Sequence, residues 1–246
     1  MADAAEVVVF AAGSLRAPLI DIGQKFERQN GDKVTFTFGP SGVLRDRIAG
    51  GERADVFASA NMDHPQSLDA LGWTTNVDRF ARNTMCILAA PSVKVSTQTA
   101  LDVMLDPAVN LGTSTPNADP SGDYAWQIFK NADAVRPGAF TALTAKARQL
   151  VGGPQSPIPP SNRNPYGALL SSGEADVFLT YCTNAELARK EQPSLRIVKL
   201  PEALAVGADY GIAARRDRPA AARAFVAFVL APEGQRVLHD YGFDPP

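Results

Sequence analysis

The chain has 246 residues, a formal net charge of −2, and 45% hydrophobic against 20% charged residues. That length suits one large domain or two smaller lobes, and the near-neutral charge excludes a nucleic-acid footprint or a polybasic membrane patch. No run approaches the roughly 18 consecutive apolar residues of a membrane-spanning helix.

The opening "MADAAEVVVF" lacks the basic and apolar regions of a signal peptide, so the protein is either cytoplasmic or exported with a leader that is absent here. "EVVVF" (6–10) is a continuous apolar run, as expected of a strand buried on both faces. Leu15, Leu19, Ile22 and Phe26 follow at spacings of four, three and four, one face of a helix that Asn30-Gly31 ends. "KVTFTFG" (33–39) alternates as a strand does. "SGVLRDRIAGG" reads as a helix stopped by glycines, and "ADVFASA" (54–60) as a third strand. Strand–helix–strand–helix–strand implies a parallel sheet with right-handed crossovers.

"TMCILAAP" (84–91) is expected to be a long strand leaving this first unit. "NLGTS" (110–114), "ADVFLTYC" (175–182), "LRIVKL" (195–200) and "YGIAAR" (210–215) read as further strands, with a helix around 123–130. The stretch "GGPQSPIPPSNRNPYG" (152–167) is a loop, either a flexible linker or a stiff wall for a cleft. "PAAARAFVAFVLAP", with Pro219 near its start, and "EGQRVLHDYGF" end the chain as helices. Ala-Asp-Val-Phe occurs at both 54–57 and 175–178, and Pro-Ser-Gly at both Ser41 and Ser121. The two echoes point to two lobes of similar α/β build.

Cys86 and Cys182 fit neither a metal motif nor a CxxC pair, and two buried thiols are the expectation rather than a disulfide. His64 and His239 are too isolated for a zinc site or a triad and read as surface or boundary residues. Neither a Walker phosphate loop nor a GxGxxG turn occurs. Gly-Pro-Ser-Gly-Val around Ser41 is not a nucleophile elbow, because its second glycine comes one residue early. Enzymatic chemistry is therefore the weaker class.

The positive signal is three serines set among small residues where strands give way to helices: Ser14, Ser41 and Ser121. Each can be a helix N-cap. Together they can instead bring hydroxyls and backbone amides to an anion at helix N-termini, at the carboxyl ends of parallel strands. The sequence of each junction, taken singly, leaves both readings open.

"VFAAGSLRAPLIDIGQKFE", "FGPSGVLRDRIAGGERADVFASAN" and "APEGQRVLHDYGF" resemble the periplasmic molybdate-binding proteins of ABC importers, over nearly the whole chain. The resemblance implies a type II periplasmic-binding-protein fold: two α/β lobes, a two-strand hinge and an inter-lobe cleft. Lobe I would be residues 1–84 and 211–246, lobe II residues 85–210, with "TMCILAAP" and "DYGIAARR" as the crossings. It implies a periplasmic, non-catalytic, monomeric receptor for molybdate or tungstate, partnered by an importer permease. No cofactor is expected, and no protein ligand on the oxyanion's metal.

By the same resemblance Ser14 and Ser41 bind from lobe I, while Ser121 donates its amide and Tyr181 its phenol from lobe II. Arg163 departs from the pattern, where a small apolar residue is usual. It either adds a bidentate contact or points to solvent while Asn164 supplies the donor. Rival expectations are a sulfate or phosphate receptor, with Asp119 or Asp123 accepting a phosphate proton, and a small enzyme acting on a phosphoester. A ferric receptor lacks its paired tyrosines, and a transcription regulator lacks its helix-turn-helix.

Overall fold

The computed structural model describes residues 5–153, 156, 163–217 and 220–246. Residues 154–155 and 157–162 of the proline-rich stretch, and Pro219, lie outside them. The chain opens with β1 (Glu6–Ala12), a 3₁₀ turn (Gly13–Leu15), α1 (Arg16–Asn30), β2 (Lys33–Gly39), α2 (Ser41–Ala49), β3 (Val56–Ser59) and α3 (Asp63–Ala70). There follow β4 (Asp78–Ala89), α4 (Ala100–Leu105), β5 (Leu111–Ser114), α5 (Pro120–Val135), α6 (Ala139–Lys146) and β6 (Arg148–Val151). Then come α7 (Pro165–Ser171), β7 (Val177–Tyr181), α8 (Cys182–Glu191), β8 (Arg196–Lys199), a second 3₁₀ turn (Glu202–Leu204), β9 (Gly207–Ala214), α9 (Ala220–Leu230) and α10 (Pro232–Asp240).

The chain divides into two compact units, one up to Asn83 and resuming at Asp209–Pro246, the other Thr84–Ala208. It passes from one to the other within β4 and back within β9. In unit 1, β1 lies between β2 and β3 and is parallel to both, while β9 runs antiparallel against β3. The register Ala12↔Gly39 and Ala11↔Ala58 ends the three parallel strands at a common level. The helix face expected from spacing is realised: Leu15, Leu19, Ile22 and Phe26 are all buried. Phe26 meets the rings of Phe225 and Phe228 edge-on, so α9 covers α1.

In unit 2, β4 pairs antiparallel with β7 and β8, and β5 lies parallel to β7 and β6. Gly112 is required here, since a Cβ at this position would lie 2.4 Å from the Phe178 ring. Four short helices (α3, α4, α6, α7), α8 and β6 were not read from the sequence. β4 begins six residues earlier than expected, because Asp78, Arg79 and Arg82 interrupt its apolar pattern while pointing outward. Arg79 and Arg82 pair with Asp209.

Two expectations are corrected. Cys86 and Cys182 form a disulfide, with Cα atoms 5.0 Å apart. The register Met85↔Tyr181 and Cys86↔Thr180 brings the end of β7 beside β4, so two cysteines remote in sequence become neighbours. His64 is buried rather than at the surface, and burial above all, then the charge of Arg45, lowers its pKa to about 4. It is a neutral core histidine. His239 is exposed, as expected.

The disulfide closes a separation of 96 residues, for which the chain-entropy model gives about 4–5 kcal/mol. Reduction, or the double variant Cys86→Ala/Cys182→Ala, is expected to lower the urea midpoint of unit 2. Denaturation with and without dithiothreitol reads the difference.

Candidate functional site

The three serines can be judged by where their hydroxyls go. None caps a helix. Pro40 occupies the N-cap of α2 and Asp119 that of α5, and Leu15 precedes α1 without a side-chain cap. Ser14 lies in the 3₁₀ turn after β1, and Ser41 and Ser121 lie in the first turns of α2 and α5. All three are buried.

In unit 1, the backbone N–H of Ala60 donates to Ser41 Oγ at 3.1 Å, joining the β2–α2 junction to the end of β3. The Ser41 oxygen is thus an acceptor inside the protein, and its own proton is left to donate. Ser14 Oγ lies 3.1 Å from the Tyr210 hydroxyl, to which Asn83 Nδ2 donates at 3.4 Å. With Asn83 donating to Tyr210, Tyr210 can donate to Ser14, and Ser14 likewise keeps a proton for an external acceptor. Tyr210 is fixed edge-on against Phe80 and Phe243. The α1 and α2 first turns hold no acidic residue, so their partial positive charge is uncompensated by a carboxylate there.

In unit 2, Ser121 Oγ is fully buried and has no hydrogen-bond partner, and so is Thr113 Oγ1 on β5. Buried hydroxyls without partners are uncommon, and a molecule that accepts from them would remove the cost of leaving them unsatisfied. The backbone amide of Ser121, however, already donates to Asp119 Oδ1 at 3.0 Å. The group expected to give its amide to an anion has that amide occupied by its own cap. Tyr181 ends β7, nearly fully buried, and Tyr124 of α5 meets it edge-on at 6.2 Å. The N-terminal half of α5 and the end of β7, which carry Ser121 and Tyr181, therefore adjoin through Tyr124.

Arg163 and Asn164 are engaged elsewhere. Arg163 Nε donates to Glu191 Oε1 at 2.8 Å, and the Asn164 amide donates to Glu191 Oε2 at 2.7 Å. The Asn164 side chain caps α7, accepting from the amides of Tyr166 and Gly167. Arg163 is thus half-exposed and paired, and Asn164 is a helix cap. Together they lower the Glu191 pKa, the Asn164 amide most.

A polar network that the sequence did not reveal joins α7, β7 and α8. Asn184 Nδ2 donates to the Tyr166 hydroxyl at 3.2 Å and to Thr180 Oγ1 at 3.4 Å. Ser114 Oγ adjoins both Tyr166, whose pKa burial raises, and Asp119, although it makes no hydrogen bond of regular geometry. Burial pushes the Asp119 carboxyl up to about 6, with the Ser121 amide and Ser114 opposing and Asp123 adding to the rise. Tyr210, Thr113 and Ser114 carried no signal in the sequence. Asp119 did, since Asp followed by Pro is an N-cap and N1 pair. Among the described residues no cluster of His, Cys, Asp and Glu is arranged to hold a metal ion.

Residues 7–244 match the family model of bacterial extracellular solute-binding proteins. The chain belongs to that family. This solute-binding protein is 36% identical to an uncharacterized protein of Pasteurella multocida strain Pm70, over 96% of this chain and 98% of the relative. It is 32% identical to the molybdate-binding protein ModA of Mycobacterium tuberculosis strain H37Rv, over 99% of this chain and 86% of that one. The solved periplasmic molybdate-binding protein of Azotobacter vinelandii superposes with a TM-score of 0.75 at 18% identity, covering 98% and 99% of the two chains. The fold is the two-lobed periplasmic-binding-protein type expected from the sequence.

The ionised form of Asp119 is disfavoured in the folded protein. Its contribution to stability is therefore best below the ordinary value of 3.8 and declines as pH rises to about 6. Asp119→Asn keeps a capping oxygen and removes this dependence. Its stability relative to the parent is expected to improve by up to about 3 kcal/mol between pH 4 and pH 7.5, as read by thermal unfolding of both proteins at the two pH values.

Proposed function

We propose that this solute-binding protein is a non-catalytic receptor for a tetrahedral oxyanion, molybdate or tungstate, which it delivers to the permease of an ABC importer. Ser14 and Ser41 of unit 1 and Ser121 and Tyr181 of unit 2 are the proposed donors. Arg163 and Asn164 are left out of the set, because Glu191 holds them. The observation that carries the reading is the fate of the serine hydroxyls. Those of Ser14 and Ser41 have internal partners that leave a proton to donate, and that of Ser121 is buried without a partner. A site lined by hydroxyl donors suits an anion that only accepts, and hydrogen bonds to a charged acceptor contribute roughly 1.5–3 kcal/mol each. The name of the Mycobacterium tuberculosis relative agrees with this choice of ligand. A disulfide is expected of a protein that works outside the reducing cytoplasm, in keeping with a periplasmic receptor.

A second reading rests on Asp119. A buried carboxyl beside Ser121 can accept from a protonated oxyanion, which favours hydrogen phosphate over molybdate. Thermal unfolding with molybdate, tungstate, sulfate or phosphate, at equal ionic strength, separates the two. A ligand at about 100 times its dissociation constant adds about 2.7 kcal/mol, expected here from molybdate and tungstate. Ser41→Ala and Ser121→Ala are expected to abolish most of that shift. A shift with phosphate alone supports the second reading, and no shift with any of the four anions overturns both. No turnover of a phosphoester is expected.

A further inference from the structure

We infer that Arg16 is a ligand-binding residue, a charged donor held over the Phe38 ring that selects doubly charged oxyanions in unit 1. The inference rests on the receptor reading above and adds a residue to its neutral donor set.

Arg16 is the first residue of α1 and exposed, two positions after Ser14. A cation at a helix N-terminus faces partial charge of its own sign, and the first turn of α1 supplies no acidic residue to offset it. No ion pair satisfies the guanidinium among the described residues. Its partner is a ring: Arg16 Cζ stands 4.6 Å from the centroid of Phe38. Stacking on a ring face uses the plane of a guanidinium and leaves its N–H edge free for a bidentate acceptor.

The platform is fixed in place. Phe36 and Phe38 stack along one face of β2 with centroids 5.2 Å apart. α1 lies so close over Phe36 that a Cβ on Gly23 would come within 2.8 Å of that ring. Phe38 pairs with Ala11, its successor Gly39 pairs with Ala12, and the chain then reaches Ser14 on one side and Ser41 on the other. Arg16 and Phe38 therefore belong to the two chain segments that carry Ser14 and Ser41, the unit 1 donors. A cation placed against the helix field, without a carboxylate, at that position is compensated when an anion arrives.

The alternative role for Arg16 is to cover Phe38 with its aliphatic stem, and the two roles make opposite forecasts. Calorimetric titration of the full chain with molybdate, tungstate, sulfate and phosphate first identifies the anion bound most tightly. Arg16→Gln is expected to weaken that anion about 10- to 100-fold and to flatten the dependence of affinity on sodium chloride. Arg16→Lys is expected to recover only part of the loss. Perchlorate, a tetrahedral monoanion, should gain relative to the dianion in Arg16→Gln. Without ligand, Arg16→Gln should unfold at the parental temperature or above it. Parental affinity and salt dependence in Arg16→Gln would overturn the inference. So would a loss of affinity accompanied by a lower unliganded midpoint and an unchanged salt dependence. If the parent binds none of the four anions, the receptor reading fails. If the parent binds and Arg16→Gln matches it, this inference alone fails.

Discussion

The parallel pairing of β1 with β2 and β3 is the constraint on which unit 1 depends. Because the three strands end at one level, the turns that follow them are forced together, and Ser41 can take the amide of Ala60 across the junction. Parallel strands place successive helix N-termini at the same edge of a sheet, where ligands of α/β proteins are held. What distinguishes this chain is that its serines are not spent on those helix ends. Proline, leucine and aspartate stand at the cap positions instead.

The strand-to-helix junctions of the two units differ in their electrostatics. Unit 1 brings hydroxyls backed by internal donors, two helix starts free of acidic residues, and Arg16 on its aromatic platform. Unit 2 brings buried hydroxyls without partners, but sets Asp119 on the amide of Ser121 and Asp123 within the same turn. The first turns of α1 and α2 therefore offer an anion a more favourable field than the first turn of α5 does. Within unit 2 the hydroxyl of Ser121 lies two residues from a carboxyl whose pKa burial raises to about 6.

Much of the fold was legible because its strands are apolar and its first helix strictly periodic. β2 matched the reading residue for residue, and the buried face of α1 followed from spacing alone. β4 was under-read, since two arginines at its start obey tertiary pairing with Asp209 rather than local pattern. The cysteine pairing was missed because antiparallel register between β4 and β7 brings together residues 96 positions apart, and no local signal encodes that. In the candidate site, the serines announced themselves through their small neighbours. Tyr210 and Ser114 did not, as a lone tyrosine or serine in a strand resembles any other. Arg163 drew attention by its charge, yet Glu191 accounts for it.

The chain order of the two units has a bearing on how the protein is made. Unit 2 is one uninterrupted stretch, and both cysteines lie within it, so it can complete its core and its cross-link as soon as residue 208 has emerged. Unit 1 has no such freedom. Phe26 lacks its ring partners until Phe225 and Phe228 appear, and Lys25 and Asp21 await Glu233 and Tyr241. The side of α1 that meets α9 and α10 is thus covered only at the end of translation, although β2 packs against its Gly23 side early. A chaperone that binds nascent apolar segments has a long opportunity at that side, where Phe26 awaits its ring partners.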